Sequence, residues 1–229
     1  MKVMLLAAGF GKRMMPLTAT CPKPLLTVAG KPLIEYSIDR LTDAGFNEFV
    51  INHAYLGEQI VHTLGDGSRW GASIAYSAEG EPLETAGGMT HAAGLLGQEP
   101  FAVVNGDIWC DFDFRRLVAH KLSGLVHLVL VANPEHNPEG DFDLDSNGLI
   151  TNAKTKTNAE SERLTYSGIA IIDPALFERF GVIDGPLGPL LRQACDAGLV
   201  TGELHAGQWQ DIGTPERLEA LNRAHQQGV

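Results

Sequence analysis

Short apolar runs alternate along the chain with stretches in which apolar residues recur every three or four positions. The runs predict buried strands at 3–7, 49–51, 73–76, 101–104, 126–131 and 168–172. The spaced pattern predicts helices at 33–41, 56–64, 92–96 and 187–197, and further helices opening at Pro174 and at Thr214-Pro215. Alternating strands and helices predict an α/β fold, with a mostly parallel central sheet flanked by helices.

The pattern changes in the second half of the chain. Residues 133–165 are polar and rich in Gly, Asp and Asn, which indicates a small β-rich insertion. No repeat and no low-complexity linker divides the 229 residues. We therefore predict a single domain, 1–229, in three parts: about 1–132, an insertion or lid at about 133–172, and a closing segment at 173–229.

Charge is distributed unevenly along this acidic chain. The formal net charge is −11, which argues against a surface that binds nucleic acid. Residues 1–34 nevertheless contain five cations and no Asp or Glu: Lys2, Lys12, Arg13, Lys23 and Lys31. A basic stretch of this kind on an acidic protein needs an explanation.

The three cysteines stand far apart, at Cys21, Cys110 and Cys195, and form no C-x-x-C pair. Their spacing argues against a disulfide framework and favours a reducing compartment. No apolar run approaches the ~18 residues of a membrane span, and the first apolar run is too short for a signal segment. We expect a cytoplasmic protein without a membrane partner. The sequence leaves the oligomeric state open, a monomer included.

A glycine loop follows the first predicted strand. The string runs L-A-A-G-F-G-K-R-M-M-P-L-T over 6–18, then P-K-P-L over 22–25. Glycines let a phosphate chain approach the backbone, and fixed cations beside it suit transfer at phosphorus. Met14 breaks the dinucleotide pattern G-x-G-x-x-G. The alternative is a tight turn whose basic side chains are solvated. Such a turn accounts for the glycines, but it does not account for Lys23 between two prolines.

A second group of residues follows the strand at 101–104. Asp107, in Asn105-Gly106-Asp107, lies at the carboxyl end of this strand, where open α/β sheets bind ligands. A carboxylate there can hold Mg²⁺ when phosphate oxygens complete the shell. The alternative is that Asp107 only forms a turn.

The loop string resembles the signature of the sugar-1-phosphate nucleotidyltransferases, L-A-A-G-x-G-x-R-[ML]-x-P-L-T followed by P-K-P-L. Residues 208–215, Q-W-Q-D-I-G-T-P, resemble the family's W-x-D-[IV]-G-T-P pattern. Segments 52–57, 64–69, 79–85 and 104–109 are most similar to the short bacterial N-acetylmuramate α-1-phosphate uridylyltransferases of cell-wall recycling. The resemblance covers essentially the whole chain and implies a Rossmann-like nucleotidyltransferase fold.

The resemblance also implies a reaction and a site. UTP and a sugar 1-phosphate give a nucleotide sugar and pyrophosphate, with Mg²⁺ as cofactor and no nucleic acid or membrane involved. Arg13 and Lys23 are the implied catalytic cations. The implied nucleotide-binding residues are Ala8, Gly9, Gly11, Lys12, Arg13, Lys23, Ala86, Gly87 and Gly88. The implied sugar-phosphate ligands are Asn105 and Asp141, and the implied metal ligands are Asp107 and Asp211.

Several alternatives remain open at this stage. Ala86–Gly88 also fits a turn ahead of the helix at 92–96, and Asp141 also fits a β-turn. The E-K-P segment of larger hexose-1-phosphate enzymes is absent, and Lys154 and Lys156 are expected to be solvated. Mannose 1-phosphate or glucose 1-phosphate with GTP, UTP or dTTP is the alternative chemistry. A further alternative is a nucleotide-sensing module without catalytic activity. Such a module would be expected to lack one of the charged residues present here.

Overall fold

A computed structural model describes residues 1–152, 162–181 and 184–226 of the chain, so Lys154 and Lys156 lie outside the described residues. The strands are β1 (Val3–Leu6), β2 (Thr27–Val28), β3 (Lys31–Pro32), β4 (Glu48–His53), β5 (Ser73–Ala78), β6 (Phe101–Asn105), β7 (Ile108–Cys110), β8 (Val126–Val131), β9 (Phe142–Leu144), β10 (Ile150–Thr151), β11 (Glu162–Ile172), β12 (Val200–His205) and β13 (Trp209–Asp211). The helices are α1 (Leu33–Asp43), α2 (Gly57–Leu64), α3 (Glu84–His91), α4 (Ala93–Leu96), α5 (Arg115–Ala119), α6 (Ala175–Phe180), α7 (Leu187–Asp196) and α8 (Pro215–Gln226).

The main sheet is mostly parallel, as the alternation of strands and helices predicted. Its central order is β12-β8-β11-β6-β1-β4-β5. The pairs β1·β4, β1·β6, β4·β5 and β8·β12 are parallel, whereas β11 runs antiparallel to both of its neighbours β6 and β8. Because β1, β4 and β6 are parallel, their carboxyl ends meet at one edge.

The inner strands β1, β4, β6 and β8 are buried on both faces, as expected for strands that helices cover. β8 is buried at every position, and Val3, Met4 and Leu5 of β1 have no exposed surface. The helix predicted at 33–41 is α1, which buries Leu33, Ile34, Ile38 and Leu41 at helical spacing. Core residues lie on both sides of the sheet in two large clusters.

The insertion is β-rich. β10 pairs with β9, and β9 pairs with the first residues of β11. The strand predicted at 168–172 is the second half of β11. A register shift between Tyr166 and Ile169 separates the two halves, so one long strand belongs first to the insertion and then to the main sheet.

Several elements were not predicted from the sequence, namely β2, β3, β7, β12, β13, α3 and α5. β12 was missed because Gly202 and polar residues interrupt its apolar pattern. A side chain at Gly202 would lie 2.8 Å from the Leu128 carbonyl oxygen, so only glycine fits beside β8. The segment Ala86–Gly88 precedes α4, as predicted, but the helix α3 in front of α4 was not expected. Those residues lie inside α3, because a helix begins already at Glu84.

No helix among the described residues is long and apolar enough to cross a membrane.

Candidate active site

The carboxyl ends of β1, β4 and β6 are tied together by hydrogen bonds from the glycine loop and its neighbours. The Ala7 backbone N–H donates to Asn52 Oδ1 over 2.9 Å, and the Gly106 N–H donates to the Leu6 carbonyl over 2.9 Å. Asn52 ends the apolar stretch of β4 and is buried. These bonds fix where the chain leaves β1, and therefore where the glycine loop begins.

The glycine loop has a fixed shape with an open rim. Gly11 has a φ of +62°, and its carbonyl accepts hydrogen bonds from the Thr18 hydroxyl and the Met14 N–H, both over 2.8 Å. A side chain at Gly11 would begin 2.8 Å from the Thr18 methyl group. A side chain at Gly9 would meet nothing within 4 Å. The loop therefore leaves space over Gly9, the residue expected beside phosphate.

A cavity of about 200 Å³ adjoins this loop. Glu84, at its rim, has a φ of +63°, which is unusual for a residue with a side chain. The cavity is lined by Leu6, Ala8, Gly9, Phe10, Asn52, Pro82, Glu84 and Thr85. Two predicted nucleotide-binding residues, Ala8 and Gly9, thus line the same cavity as the first turn of α3.

Ala86, Gly87 and Gly88 lie in α3 beyond that rim and are buried. The N–H groups of Ala86 and Gly87 donate to the Gly185 carbonyl over 2.9 and 3.3 Å. The structure therefore places the predicted glycines next to the cavity but with part of their backbone already bonded within the protein.

Asn52 and Glu79 form a polar bridge that the sequence reasoning did not single out. Asn52 Nδ2 donates to Glu79 Oε1 over 2.6 Å, and Glu79 Oε2 accepts from the Leu83 N–H over 3.0 Å. A side chain at Gly88 would begin 2.5 Å from Glu79 Oε1. The only sequence signal for this bridge was a polar residue at the end of the apolar strand β4.

Lys23 and Asp107, two predicted site residues, form an ion pair. The Lys23 side chain is only 11% exposed, against 32% for Asp107. Lys23 begins a short helical turn after Pro22, in which the Leu25 N–H donates to the Pro22 carbonyl over 2.9 Å. Its Cβ lies 3.3 Å from where a side chain at Gly11 would begin. The lysine is therefore held between the glycine loop and the strand-end carboxylate.

The structure brings the two predicted metal aspartates together through a small ribbon. β7 and β13 pair antiparallel, with Ile108 opposite Asp211. The Ile212 N–H also donates to the Asp107 carbonyl over 2.8 Å. Asp107 and Asp211, 104 positions apart in sequence, thus lie side by side at one end of this ribbon.

Asp211 has two basic partners, an arginine and a histidine, that the sequence reasoning missed. Arg217 Nη1 lies 2.5 Å from Asp211 Oδ1, and His136 Nε2 lies 3.0 Å from the same oxygen. His136 comes from the insertion and Arg217 from the first turn of α8. Spacing along the sequence could not reveal the contact of His136. The nearness of Arg217 to the W-x-D pattern was a usable signal, because Arg217 follows Asp211 by six positions.

Asn105 and Asp141, the predicted sugar ligands, both contact β11. A side chain at Gly168 of β11 would begin 2.5 Å from Asn105 Nδ2, so the amide packs directly on this glycine. Asp141 Oδ2 accepts a hydrogen bond from the Tyr166 N–H over 2.9 Å. Asp141 therefore has a structural partner on the strand that also carries Gly168.

The thiol next to this site is not available as a nucleophile. Burial raises the pKa of Cys110, in β7, to about 11, so the thiol stays protonated near neutral pH. The reactive potential of the site lies instead in its fixed cations and carboxylates.

The donor set fits a hard cation bound together with a nucleotide. Asp107 and Asp211 offer carboxylate oxygens and keep part of their surface exposed. In the described part of the chain, no group of three or more His, Cys, Asp or Glu side chains could hold a metal ion alone. Two carboxylates with phosphate and water oxygens suit Mg²⁺, which keeps several ligands from outside the protein.

Comparison with known proteins agrees with this geometry. Residues 2–228 match the profile of the nucleotidyl transferase family. The chain belongs to the nucleotidyl transferase family. The resemblance found in the glycine loop and the W-x-D segment is thereby confirmed.

Individual relatives of this nucleotidyl transferase give more detail. The N-acetylmuramate alpha-1-phosphate uridylyltransferase of Neisseria meningitidis serogroup B is 49% identical over 227 residues, or 96% of each chain. A mannose-1-phosphate guanylyltransferase catalytic subunit beta of Drosophila melanogaster is 32% identical over 230 residues, and the match covers 94% of this chain but 60% of the relative. HddC from Yersinia pseudotuberculosis, solved with GMP-PN, is 21% identical with a TM-score of 0.79, over 98% of this chain and 99% of HddC. This likeness confirms the fold.

Proposed function

We propose that this protein transfers the uridylyl group of UTP to N-acetylmuramate α-1-phosphate, giving UDP-N-acetylmuramate and pyrophosphate. The observation that carries the reaction is the meeting of Lys23, Asp107 and Asp211 beside the open glycine loop. The sugar and the base rest on the Neisseria relative, which is similar along nearly its whole length. A reaction of this kind belongs to the recycling of cell-wall sugars.

The chemistry requires charge compensation more than proton transfer. An oxygen of the sugar phosphate forms a bond to the α-phosphorus of UTP, and the bond from that phosphorus to the bridging oxygen breaks. The nucleophile is already ionised near neutral pH, because the second pKa of a phosphate monoester is about 6. No general base is therefore needed, and the protein has to bring two anions together.

Each cation of the site compensates the charge of a different phosphate group. Lys23, nearly buried and next to the glycine loop, neutralises the α-phosphate and the incoming sugar phosphate. Arg13, exposed in the same loop, holds the β- and γ-phosphates and the leaving pyrophosphate. Asp107 and Asp211 hold Mg²⁺, which supplies Lewis-acid stabilisation of the phosphate oxygens when bound.

The remaining predicted residues surround the substrates. In this proposal the phosphates lie over Gly9, Gly11 and Lys12, where a side chain at Gly9 would find open space. The nucleoside lies in the cavity beside Ala8, against the start of α3 with Ala86, Gly87 and Gly88. Asn105 and Asp141 contact the sugar from the side of β11.

A cytoplasmic location is part of the proposal. It is supported by the free thiols of Cys21, Cys110 and Cys195, which suit a reducing compartment.

A mannose-1-phosphate guanylyltransferase is the second candidate function, because the Drosophila relative of that name is 32% identical to this chain. A regulatory module without activity is disfavoured by the complete set of Arg13, Lys23, Asp107 and Asp211. Differences in acceptor and base among family members are compatible with one fold, so only an assay separates these candidates.

The test is pyrophosphate release from each nucleoside triphosphate with Mg²⁺ and a panel of sugar 1-phosphates. We expect release from UTP with N-acetylmuramate α-1-phosphate, and little with mannose or glucose 1-phosphate. Preference for GTP with mannose 1-phosphate would support the second candidate. Silence with every pair would support the regulatory module.

The same assay tests the metal ligands. Asp107→Asn should abolish most of the release, whereas Asp113→Asn is the matched control because Asp113 pairs with exposed Arg115 on the surface. Near-normal release by Asp107→Asn at low Mg²⁺ would contradict the assignment of Asp107 to the metal.

A further inference from the structure

Arg217 occupies a position in its helix that is electrostatically unfavourable for a positive charge. It lies in the first turn of α8, where the helix dipole favours negative rather than positive groups. Its side chain is 22% exposed and turns back along the chain to Asp211, where Nη1 lies 2.5 Å from Oδ1 and 3.4 Å from the main-chain oxygen. Arg217 is thus directed into the site and not into solvent.

Arg217 and Arg13 approach the same point. A side chain added at Gly213 would begin 3.1 Å from Arg217 Nη1, 3.4 Å from Arg13 Nη2 and 3.0 Å from Asp211 Oδ2. Two guanidinium groups from opposite ends of the chain therefore converge on Gly213, beside the Asp211 carboxylate. Guanidinium groups that converge in this way form a fork suited to a phosphate chain.

The two site carboxylates are each paired with a basic side chain that a metal ion could replace. Asp107 is paired with Lys23, and Asp211 is paired with Arg217 and His136. These two carboxylates are the groups assigned to the metal in the proposed function. If Asp211 holds a divalent cation, its carboxylate would no longer be free for Arg217, and the guanidinium would then require another anion.

We propose that Arg217 is a second pyrophosphate-binding arginine of the reaction, an inference that rests on the proposed function. Without metal it pairs with Asp211. With metal and nucleotide present it leaves this carboxylate and joins Arg13 on the β- and γ-phosphates, and it stays with the pyrophosphate as that group leaves. Asp211 thus changes its partner from a guanidinium to a metal, and Arg217 changes its partner from a carboxylate to a phosphate.

Two binding measurements on the full chain test this exchange, and neither needs a sugar substrate. Pyrophosphate binding is measured by calorimetry in the presence of Mg²⁺, and Mn²⁺ binding is measured by electron paramagnetic resonance without nucleotide. Arg217→Ala should weaken pyrophosphate binding by about 10- to 100-fold, the range for a lost hydrogen bond to a charged group. The same variant should bind Mn²⁺ several-fold more tightly, because Asp211 loses a competing cation.

Two further variants serve as controls. Arg217→Lys keeps the charge and should retain part of the pyrophosphate affinity. Arg223→Ala removes a surface arginine of the same helix, paired with Glu219 one turn away, and should change neither measurement. Thermal unfolding of each variant shows whether the fold is kept.

The outcomes separate the possible roles of Arg217. If Arg217→Ala, folded, binds both pyrophosphate and Mn²⁺ more weakly, Arg217 only holds Asp211 in place and the inference is wrong. Unchanged pyrophosphate binding also overturns it. Failure of the proposed function would have a different signature. No sugar 1-phosphate would give pyrophosphate release, while Arg217→Ala would still change both binding measurements.

Discussion

The Trp209 indole N–H donates a hydrogen bond to the Ser167 main-chain carbonyl over 2.9 Å. Ser167 is buried at the register shift of β11, and its hydroxyl donates to the Val129 carbonyl over 2.7 Å. Trp209 lies two residues before Asp211, and Ser167 precedes Gly168, on which Asn105 packs. The indole therefore connects the strand of Asp211, a proposed metal ligand, to the strand beside the proposed sugar site.

Trp209→Phe should keep most of the aromatic packing but remove this hydrogen bond. Leaving the buried Ser167 carbonyl unpaired should lower the free energy of unfolding by about 1–3 kcal/mol. Because the bond positions both sides of the site, kcat should fall as well. Urea unfolding and steady-state kinetics measure the two effects.

A matched control exists at Trp70, whose indole N–H donates to Asp39 Oδ1 over 2.7 Å away from the site residues. Trp70→Phe should lower stability and leave kcat unchanged. Equal effects of the two variants on kcat would show that the Trp209 bond has no special connection with the site.

Lys23→Ala should lower kcat by about 10²- to 10³-fold, the range for loss of one preorganised group that stabilises charge in a transition state. Stability should change little, because the Asp107 carboxylate left behind is partly exposed. Kinetics and thermal unfolding of the same preparation test both statements. Lys31→Ala, which breaks a surface pair with Asp39, is the control. A large loss of stability in Lys23→Ala would assign this lysine a structural role.

Gly88→Ala should destabilise the protein, because the added methyl group meets Glu79 Oε1 at 2.5 Å and Asn52 Nδ2 at 2.8 Å. Disruption of that bridge leaves buried polar groups unpaired, at a cost of about 1–3 kcal/mol. Gly94→Ala is the matched variant, since its methyl group meets nothing within 4 Å in the neighbouring helix α4. It should stabilise by about 0.5–1 kcal/mol. Chemical denaturation of both variants tests the contrast, and equal effects would contradict it.

Stability should decrease below about pH 6.5, the ordinary pKa of histidine. The His120 and His127 rings stack with centroids 3.7 Å apart, with Glu203 and Arg116 beside them. Burial, together with the neighbouring His127, lowers the pKa of His120 below its ordinary value. The unfolded chain therefore binds a proton at His120 more readily than the folded chain does. The contribution of neutral His120 is complete above pH 6.5 and is lost as the pH falls towards its folded pKa.

Urea unfolding at pH 7.5 and pH 5.5 measures this effect. His120→Phe, which keeps a ring in the stack, should lose less stability between the two pH values than the unaltered protein. His62→Phe, on the exposed side of α2, is the comparison outside the cluster. An unchanged pH dependence in His120→Phe would exclude His120 as its source.

Local signals in the sequence were sufficient for much of the fold. β1, β4, β6 and β8 are buried on both faces and read as continuous apolar runs, so their strands could be predicted without knowing their partners. β12 could not, because its position depends on the fit of Gly202 against β8. The start of α3 at Glu84 was missed because glycines lower helix propensity, and tertiary packing outweighs that preference here.

The residues of the candidate site could also be predicted from the sequence only in part. Lys23, Asp107 and Asp211 stand in short motifs, so their types and neighbours marked them. The contacts of Asp211 with His136 and Arg217 arise when the insertion and α8 fold onto the ribbon of β7 and β13. No spacing along the chain encodes that meeting, and only the folded structure reveals it.

The backbone hydrogen bond from Ile212 to Asp107 has a consequence for chelation. It joins the main-chain segments that carry Asp107 and Asp211, so the separation of these segments is set before any ion arrives. In the proposed function, a cation held by Asp107 and Asp211 would meet two ligands whose main-chain positions are fixed in advance, and less conformational entropy would be lost on binding. A displacement of the ribbon would carry both aspartates together, so an ion held by them would move relative to the glycine loop while keeping its two protein ligands.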